Sequence, residues 1–169
     1  YLEGFYYRPR IDKEALAKYN KGLIGSSACL KGEIPSLIME NRFHDALKVA
    51  DEFSSILGKE NFFLEIQENL IPEQRGVNVG LLKIAKELGL PLVATNDVHY
   101  LKKSSAHSHE ALLCIQTQTT LDDPNRMRFQ TEEFYFKTPQ EMKDLFNYCP
   151  EAARNTIEIA QRCNLELEF

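Results

Sequence analysis

Leu90-Pro91-Leu92-Val93-Ala94-Thr95-Asn96-Asp97-Val98-His99-Tyr100 decides the fold class. The apolar run Leu90 to Ala94 reads as a buried strand. It stops at polar residues, with a carboxylate and an imidazole two positions apart just beyond. In α/β folds ligands gather at the C-terminal ends of parallel strands. Residues i and i+2 of an extended chain share a face, so Asp97 and His99 can aim into one pocket and serve as metal ligands. The competing reading is a strand that ends in a polar turn with a capping aspartate. Two donors alone are too few for a metal cage.

The segments before this stretch set the period. Phe43 to Leu57 is an amphipathic helix, with Phe43, Ala46, Leu47, Ala50, Phe53 and Leu57 at helical spacing and Gly58 at its end. Phe62 to Gln67 reads as a strand. Pro72 opens a helix whose inner face is Leu81, Leu82, Ile84, Ala85 and Leu88, and Gly89 closes it. Gly22 to Ser27 reads as an earlier short strand, followed by a loop and a brief helix at Pro35. A further helix is expected from about Ser104 to Gln118. This βαβαβα alternation predicts an α/β fold: a parallel sheet with right-handed crossovers and helices packed outside. Three strand ends then line one rim, at residues 27–29, 67–69 and 96–99.

Around that middle lie Arg8-Pro9-Arg10, a helix capped by Asp12, and a C-terminal third of different character. Leu121 to Asn125 is a turn-rich link. Phe134-Tyr135-Phe136 reads as a short strand. Thr138-Pro139-Gln140-Glu141 carries a capping box with proline at the first helical position. Pro150 opens the last helix, with Ala153, Ile157, Ala160 and Cys163 on one face. The expected division is 1–120 for the βα units and 121–169 for a helical appendix.

The chain has 169 residues, 43% hydrophobic and 27% charged, ordinary for a globular domain with a core. No apolar run reaches the roughly 20 residues of a membrane helix, and no signal peptide is evident. The net charge of −5 gives no basic face for autonomous nucleic-acid binding. Cys29, Cys114, Cys149 and Cys163 lack a CxxC pair, which favours reduced thiols and a cytoplasmic setting. Cys114, Cys149 and Cys163 read as structural. The start at Tyr1 and the end on Leu165 to Phe169 suggest a fragment of a longer protein.

Other candidates surround the rim. Cys29 follows a strand end and would favour zinc as a thiolate, or is a small buried residue. Glu65 sits inside an apolar strand and needs a partner there. Asn69 is a rim residue or a turn residue. His107 and His109 fall in the first turn of a helix, where i and i+2 diverge, so they do not chelate together. His109 can pack or hydrogen-bond near the rim, while His107 is solvated. Arg126-Met127-Arg128-Phe129 contacts phosphate or another domain, or is taken up in ion pairs.

Tyr7-Arg8-Pro9-Arg10-Ile11-Asp12, Ser26 to Pro35, Phe63-Leu64-Glu65-Ile66-Gln67 with Pro72-Glu73-Gln74, and Ala94 to Tyr100 resemble the alpha subunits of bacterial replicative DNA polymerases of the polymerase III family. Leu112 to Thr117 and Asn155 to Asn164 agree. The matching part is similar to the second half of the N-terminal PHP domain. The resemblance implies part, about three βα units, of a distorted barrel of about seven such units, with the metal cluster at the strand ends. It implies that Cys29, Asp97 and His99 are metal ligands, for zinc or manganese, in a site that is incomplete here because the family's early HxH is missing. Asn69 stands where relatives commonly carry His. In the parent it implies DNA-templated synthesis with Mg²⁺, DNA and dNTPs as substrates, and sliding clamp, clamp loader and proofreading exonuclease as partners. The domain itself is then a 3′→5′ exonuclease or a docking platform, and the fragment has no polymerase activity alone. The alternatives are a stand-alone PHP phosphoesterase and a purely structural interaction module.

Overall fold

The computed structural model describes residues 4–166. In chain order these form β1 (Phe5–Tyr6), β2 (Arg8–Pro9), α1 (Lys13–Lys18), β3 (Gly25–Ser26), α2 (Glu33–Met39), α3 (Phe43–Leu57), β4 (Phe62–Gln67), α4 (Pro72–Leu88), β5 (Leu92–Thr95), α5 (Ala106–Thr117), α6 (Pro139–Leu145) and α7 (Pro150–Arg162). Short 3₁₀ turns, Lys59–Asn61 and Lys103–Ser105, precede β4 and α5. The strands β3, β4 and β5 lie in that order in a three-stranded parallel sheet, as the βα alternation requires. Gly25 pairs with Phe62 and Ser26 with Phe63. By its contacts the chain divides into two compact units, Tyr1–Glu65 with Gly80–Leu92 and Ile66–Val79 with Val93–Phe169.

In the first unit, β1 and β2 form an antiparallel hairpin that the sequence reading missed. Asp12 caps α1 by accepting a bond from the Ala15 N–H at 2.8 Å. The Lys13 ammonium then reaches Glu33 on α2 and Glu52 on α3 at 3.1 and 2.7 Å, and lies over the Phe53 ring. α2 begins at Glu33, two residues before Pro35, behind a glycine N-cap. A Cβ at Gly32 would stand 2.2 Å from the Ser27 carbonyl oxygen, so the loop after β3 folds back only because this residue has none. α3 buries Ala46, Ala50 and Ser54, and its Phe53 stacks on Phe62 with centroids 5.5 Å apart. Phe62, Phe63 and Leu64 are buried, and the Leu64 N–H donates to Pro91 O at 2.9 Å.

In the second unit, Ile66, Val77, Val93, Ala94, Leu113, Cys114, Phe134, Phe146, Cys149 and Ala152 are buried. The segment around Phe134 runs beside residues 96–100. His99 N–H donates to Phe134 O at 2.8 Å, Phe136 N–H to Tyr100 O at 3.1 Å, and the Asn96 amide to Tyr135 O at 2.6 Å. The expected strand at Phe134–Phe136 is reduced to one parallel bridge, Tyr100 to Tyr135. Its neighbour is not extended: Asp97 has a φ of +49°, which breaks the ladder. α6 carries the complete capping box of Thr138 and Glu141, and α7 begins at Pro150. α7 buries Ala152 rather than the face of Ile157 and Cys163, which are exposed. The described cysteines are free thiols.

Candidate site at the strand ends

β4 and β5 end on polar residues whose side chains meet in the second unit. Gln67 Nε2 donates to Thr95 Oγ1 at 3.1 Å. Beyond β4 the chain turns at Asn69, which is 1% exposed and carries an amide oxygen with no hydrogen-bond partner. Its amide nitrogen points at Asp97 Oδ2, 3.4 Å away. Thr131 Oγ1 donates to the Asn69 carbonyl at 2.7 Å, so both the side chain and the backbone of Asn69 are held.

Asp97 adopts the left-handed region, tolerated by Asp and Asn better than by other non-glycine residues. That conformation turns its carbonyl toward the ring two residues on. His99 Nδ1 lies 2.9 Å from Asp97 O. A carbonyl only accepts, so Nδ1 carries the proton and Nε2 keeps its lone pair in the neutral ring. In this tautomer Nε2 is the nitrogen that can ligate a metal or accept a proton. The His99 ring meets Phe129 and Phe134 edge-on, at centroid distances of 4.8 and 5.2 Å. It also meets the His109 ring at 5.8 Å. His109 packs in turn on Tyr100 and Phe129. Partial burial, reinforced by the neighbouring His99, lowers its pKa below the usual histidine value. His107 is exposed and stands 3.9 Å from Glu110.

The other candidates belong to the first unit. Glu65 accepts a 2.5 Å hydrogen bond from the Ser26 hydroxyl, and its N–H donates to Ser27 Oγ at 2.8 Å. That supplies the partner a carboxylate inside an apolar strand needs. Cys29 is a half-buried free thiol in the loop after β3, and its carbonyl accepts the Gly32 N–H at 2.8 Å.

Among the described residues, no three or more His, Cys, Asp or Glu side chains are grouped to hold a metal ion. Asp97 and His99 present ligand-type atoms, and the orphaned Asn69 oxygen adds a neutral one. Asp97 and His99 are two zinc-type ligands, short of the four of a structural zinc site and the three of a catalytic one, and a neutral amide oxygen is not among the usual zinc ligands. No catalytic step through a metal follows from it. Sequence reasoning did not bring Phe129 or Thr131 to the site. Phe129 lies twenty residues from His109, and no local spacing reports such a contact.

Residues 1–69 match the family model of the PHP domain. Over nearly its whole length the chain is also similar to proteins named DNA polymerase III subunit alpha. It is 48% identical to that of Borreliella burgdorferi over 164 residues, covering 97% of this chain. It is 48% identical to that of Thermus aquaticus over 170 residues and 42% identical to that of Treponema pallidum over 167, each covering 99% of this chain. The chain spans 14% of the length of each of these relatives. It therefore matches a fragment of the PHP region of the bacterial polymerase III alpha subunit. No described helix is long and apolar enough to cross a membrane.

Proposed function

We propose that this chain is the PHP region of a bacterial replicative DNA polymerase, whose whole alpha subunit carries out DNA-templated synthesis. The observation that carries this reading is similarity at 42–48% identity across 97–99% of the chain. In the whole protein the substrates are a primed DNA template and dNTPs, with Mg²⁺ at polymerase carboxylates outside this chain. The partners are the sliding clamp, the clamp loader and a proofreading exonuclease, and the location is the cytoplasm. Within the chain, Cys29, Asp97 and His99 are the proposed contribution to a zinc or manganese site. The described donors do not form a cage by themselves, so the chain alone is proposed to catalyse neither nucleotide addition nor hydrolysis. Its own role is that of a scaffold: the hydrogen-bonded rim at Asn69, Asp97 and Thr131 ties the segment after α5 to the strand ends.

The test is primer extension and 3′→5′ exonuclease activity by the full-length product of the gene, beside the 169-residue chain. Incorporation of dNTPs by the full-length protein and none by the chain is the expected result. A full-length protein that hydrolyses small phosphate esters and extends no primer would overturn the reading in favour of a stand-alone phosphoesterase. Zinc measured by elemental analysis in full-length wild type and in Asp97→Ala/His99→Ala tests the ligand assignment. Equal zinc in both removes these two residues from the site.

A further inference from the structure

Lys137 is the one charged residue that is buried among the described residues, with its side chain 2% exposed. Lysine is rarely buried without partners, because its ammonium gives up its hydration. Here Nζ donates to the main-chain oxygen of Glu133, lies 3.7 Å from Glu133 Oε2 and stands over the Tyr135 ring, 4.5 Å from its centroid. The other oxygen of the same carboxylate, Oε1, accepts from Lys103 Nζ at 2.5 Å. One carboxylate is thus clasped by two ammonium groups, the inner one buried and the outer one, Lys103, exposed. Desolvation lowers the Lys137 pKa below the ordinary lysine value, against the opposing pull of Glu133 and Glu141. Lys103 begins the turn that leads into α5, and Lys137 stands directly before the Thr138 cap of α6.

Between them runs the segment 131–137, which makes a single bridge and no longer ladder. Yet its contacts set the rim. Phe134 O accepts the His99 N–H, Phe136 N–H donates to Tyr100 O, Thr131 Oγ1 donates to Asn69 O, and the Phe134 ring meets the His99 ring at 5.2 Å. Each such hydrogen bond replaces one to water and holds the segment only modestly. An exposed ion pair would add little. A buried ammonium acts differently: without its countercharge it regains hydration only if the segment lifts away.

We propose that Glu133, clasped between Lys103 and Lys137, is the latch that holds the segment 131–137 on the strand ends, which makes Glu133, Lys103 and Lys137 positioning residues for the His99 ring and for Asn69. The latch deepens the scaffold reading above and rests on it for its purpose; its mechanism rests on the contacts alone.

The test is amide hydrogen exchange and proton NMR of the 169-residue chain and its Glu133→Gln, Lys103→Met and Lys103→Arg variants. The His99 and Phe136 amides report the latched segment. Those of Leu64 and Cys149, which donate to Pro91 O and Phe146 O, report the remainder of each unit. In Glu133→Gln the His99 and Phe136 amides should exchange at least about tenfold faster, with Leu64 and Cys149 within about twofold of wild type. The His99 ring protons should also lose the shift that the Phe134 ring imposes. Lys103→Met removes only the exposed arm, so it keeps the chain folded and decides alone if Glu133→Gln does not fold. It should speed the same two amides selectively, and Lys103→Arg should restore them. Unchanged exchange at His99 and Phe136 in either folded variant, or equal acceleration at all four amides, overturns the latch. Primer extension by the full-length protein is scored separately: a protein that extends no primer removes the polymerase reading and leaves the latch standing.

Discussion

The His99 ring donates its Nδ1–H to the carbonyl oxygen of Asp97, 2.9 Å away and two residues back. One backbone acceptor thereby fixes which nitrogen faces outward. A long-range proton–nitrogen correlation spectrum of the chain above pH 8 should show His99 protonated at Nδ1 and bare at Nε2. The reverse tautomer would mean that the Asp97 carbonyl does not orient the ring, and would remove His99 as an Nε2 ligand.

That carbonyl points at the ring because Asp97 sits at a φ of +49°. The left-handed region costs an ordinary L-residue roughly 1–2 kcal/mol, and Asn and Asp less. Asp97→Asn should therefore unfold in urea at nearly the wild-type midpoint, whereas Asp97→Val should lose about 1–2 kcal/mol more. Equal midpoints for the two variants would show that the turn relaxes without cost.

Asn78 on α4 donates to the main-chain oxygen of Gln67 at 2.7 Å and accepts from Gln74 Nε2 at 3.2 Å, all in the buried part of the second unit. Its contact to the Tyr148 hydroxyl is 3.5 Å, at the edge of hydrogen-bonding range. Asn78→Leu leaves a buried carbonyl without its donor and should cost about 1–3 kcal/mol in chemical denaturation. Tyr148→Phe removes only the long contact and should stay within about 0.5 kcal/mol. A larger loss for Tyr148→Phe than for Asn78→Leu would reverse this ranking.

The parts of the fold legible in the sequence are those written locally. α3 starts and ends at Phe43 and Leu57 as its apolar spacing requires, and Gly58 at a φ of +91° stops it. α6 and α7 begin at Pro139 and Pro150, where cap and proline chemistry places them. β4 matches its apolar run at both ends. Other features depend on partners distant in sequence or on backbone conformation. The apolar run from Leu90 predicts a strand there, but the Leu90 N–H closes α4 by donating to Ala85 O, so β5 starts at Leu92. The β1–β2 hairpin turns at Tyr7 with a φ of +60° and no Gly or Asn to announce it. At the site, the Asp-x-His stretch was visible in the sequence. The packing of Phe129 and His109 against the exposed His99 ring was not, because it brings α5 and the segment after it back to the strand end.

Tyr135 and Glu141 give the chain a pH signature at both ends of the scale. The Tyr135 hydroxyl donates to Glu141 Oε1 at 2.5 Å, and Thr138 donates to the same carboxylate from its hydroxyl and its backbone N–H, both at 2.7 Å. Those donors, Tyr135 first and then Thr138, lower the Glu141 pKa from 4.5 to about 2. The same bond, with desolvation second, raises Tyr135 from 10.0 to about 12. A carboxylate depressed in the folded state adds stability above its unfolded pKa, and that stability is lost as pH falls from 4.5 toward 2. A phenol raised in the folded state adds stability below its unfolded pKa, and that is lost as pH rises from 10 toward 12. The melting temperature should therefore fall on both sides of a neutral plateau. Glu141→Gln should flatten the acid arm and Tyr135→Phe the alkaline arm. Thr138→Ala should lower the unfolding free energy on the plateau by about 1 kcal/mol through loss of the cap. An acid arm unchanged by Glu141→Gln would place the acid lability of the chain on other carboxylates.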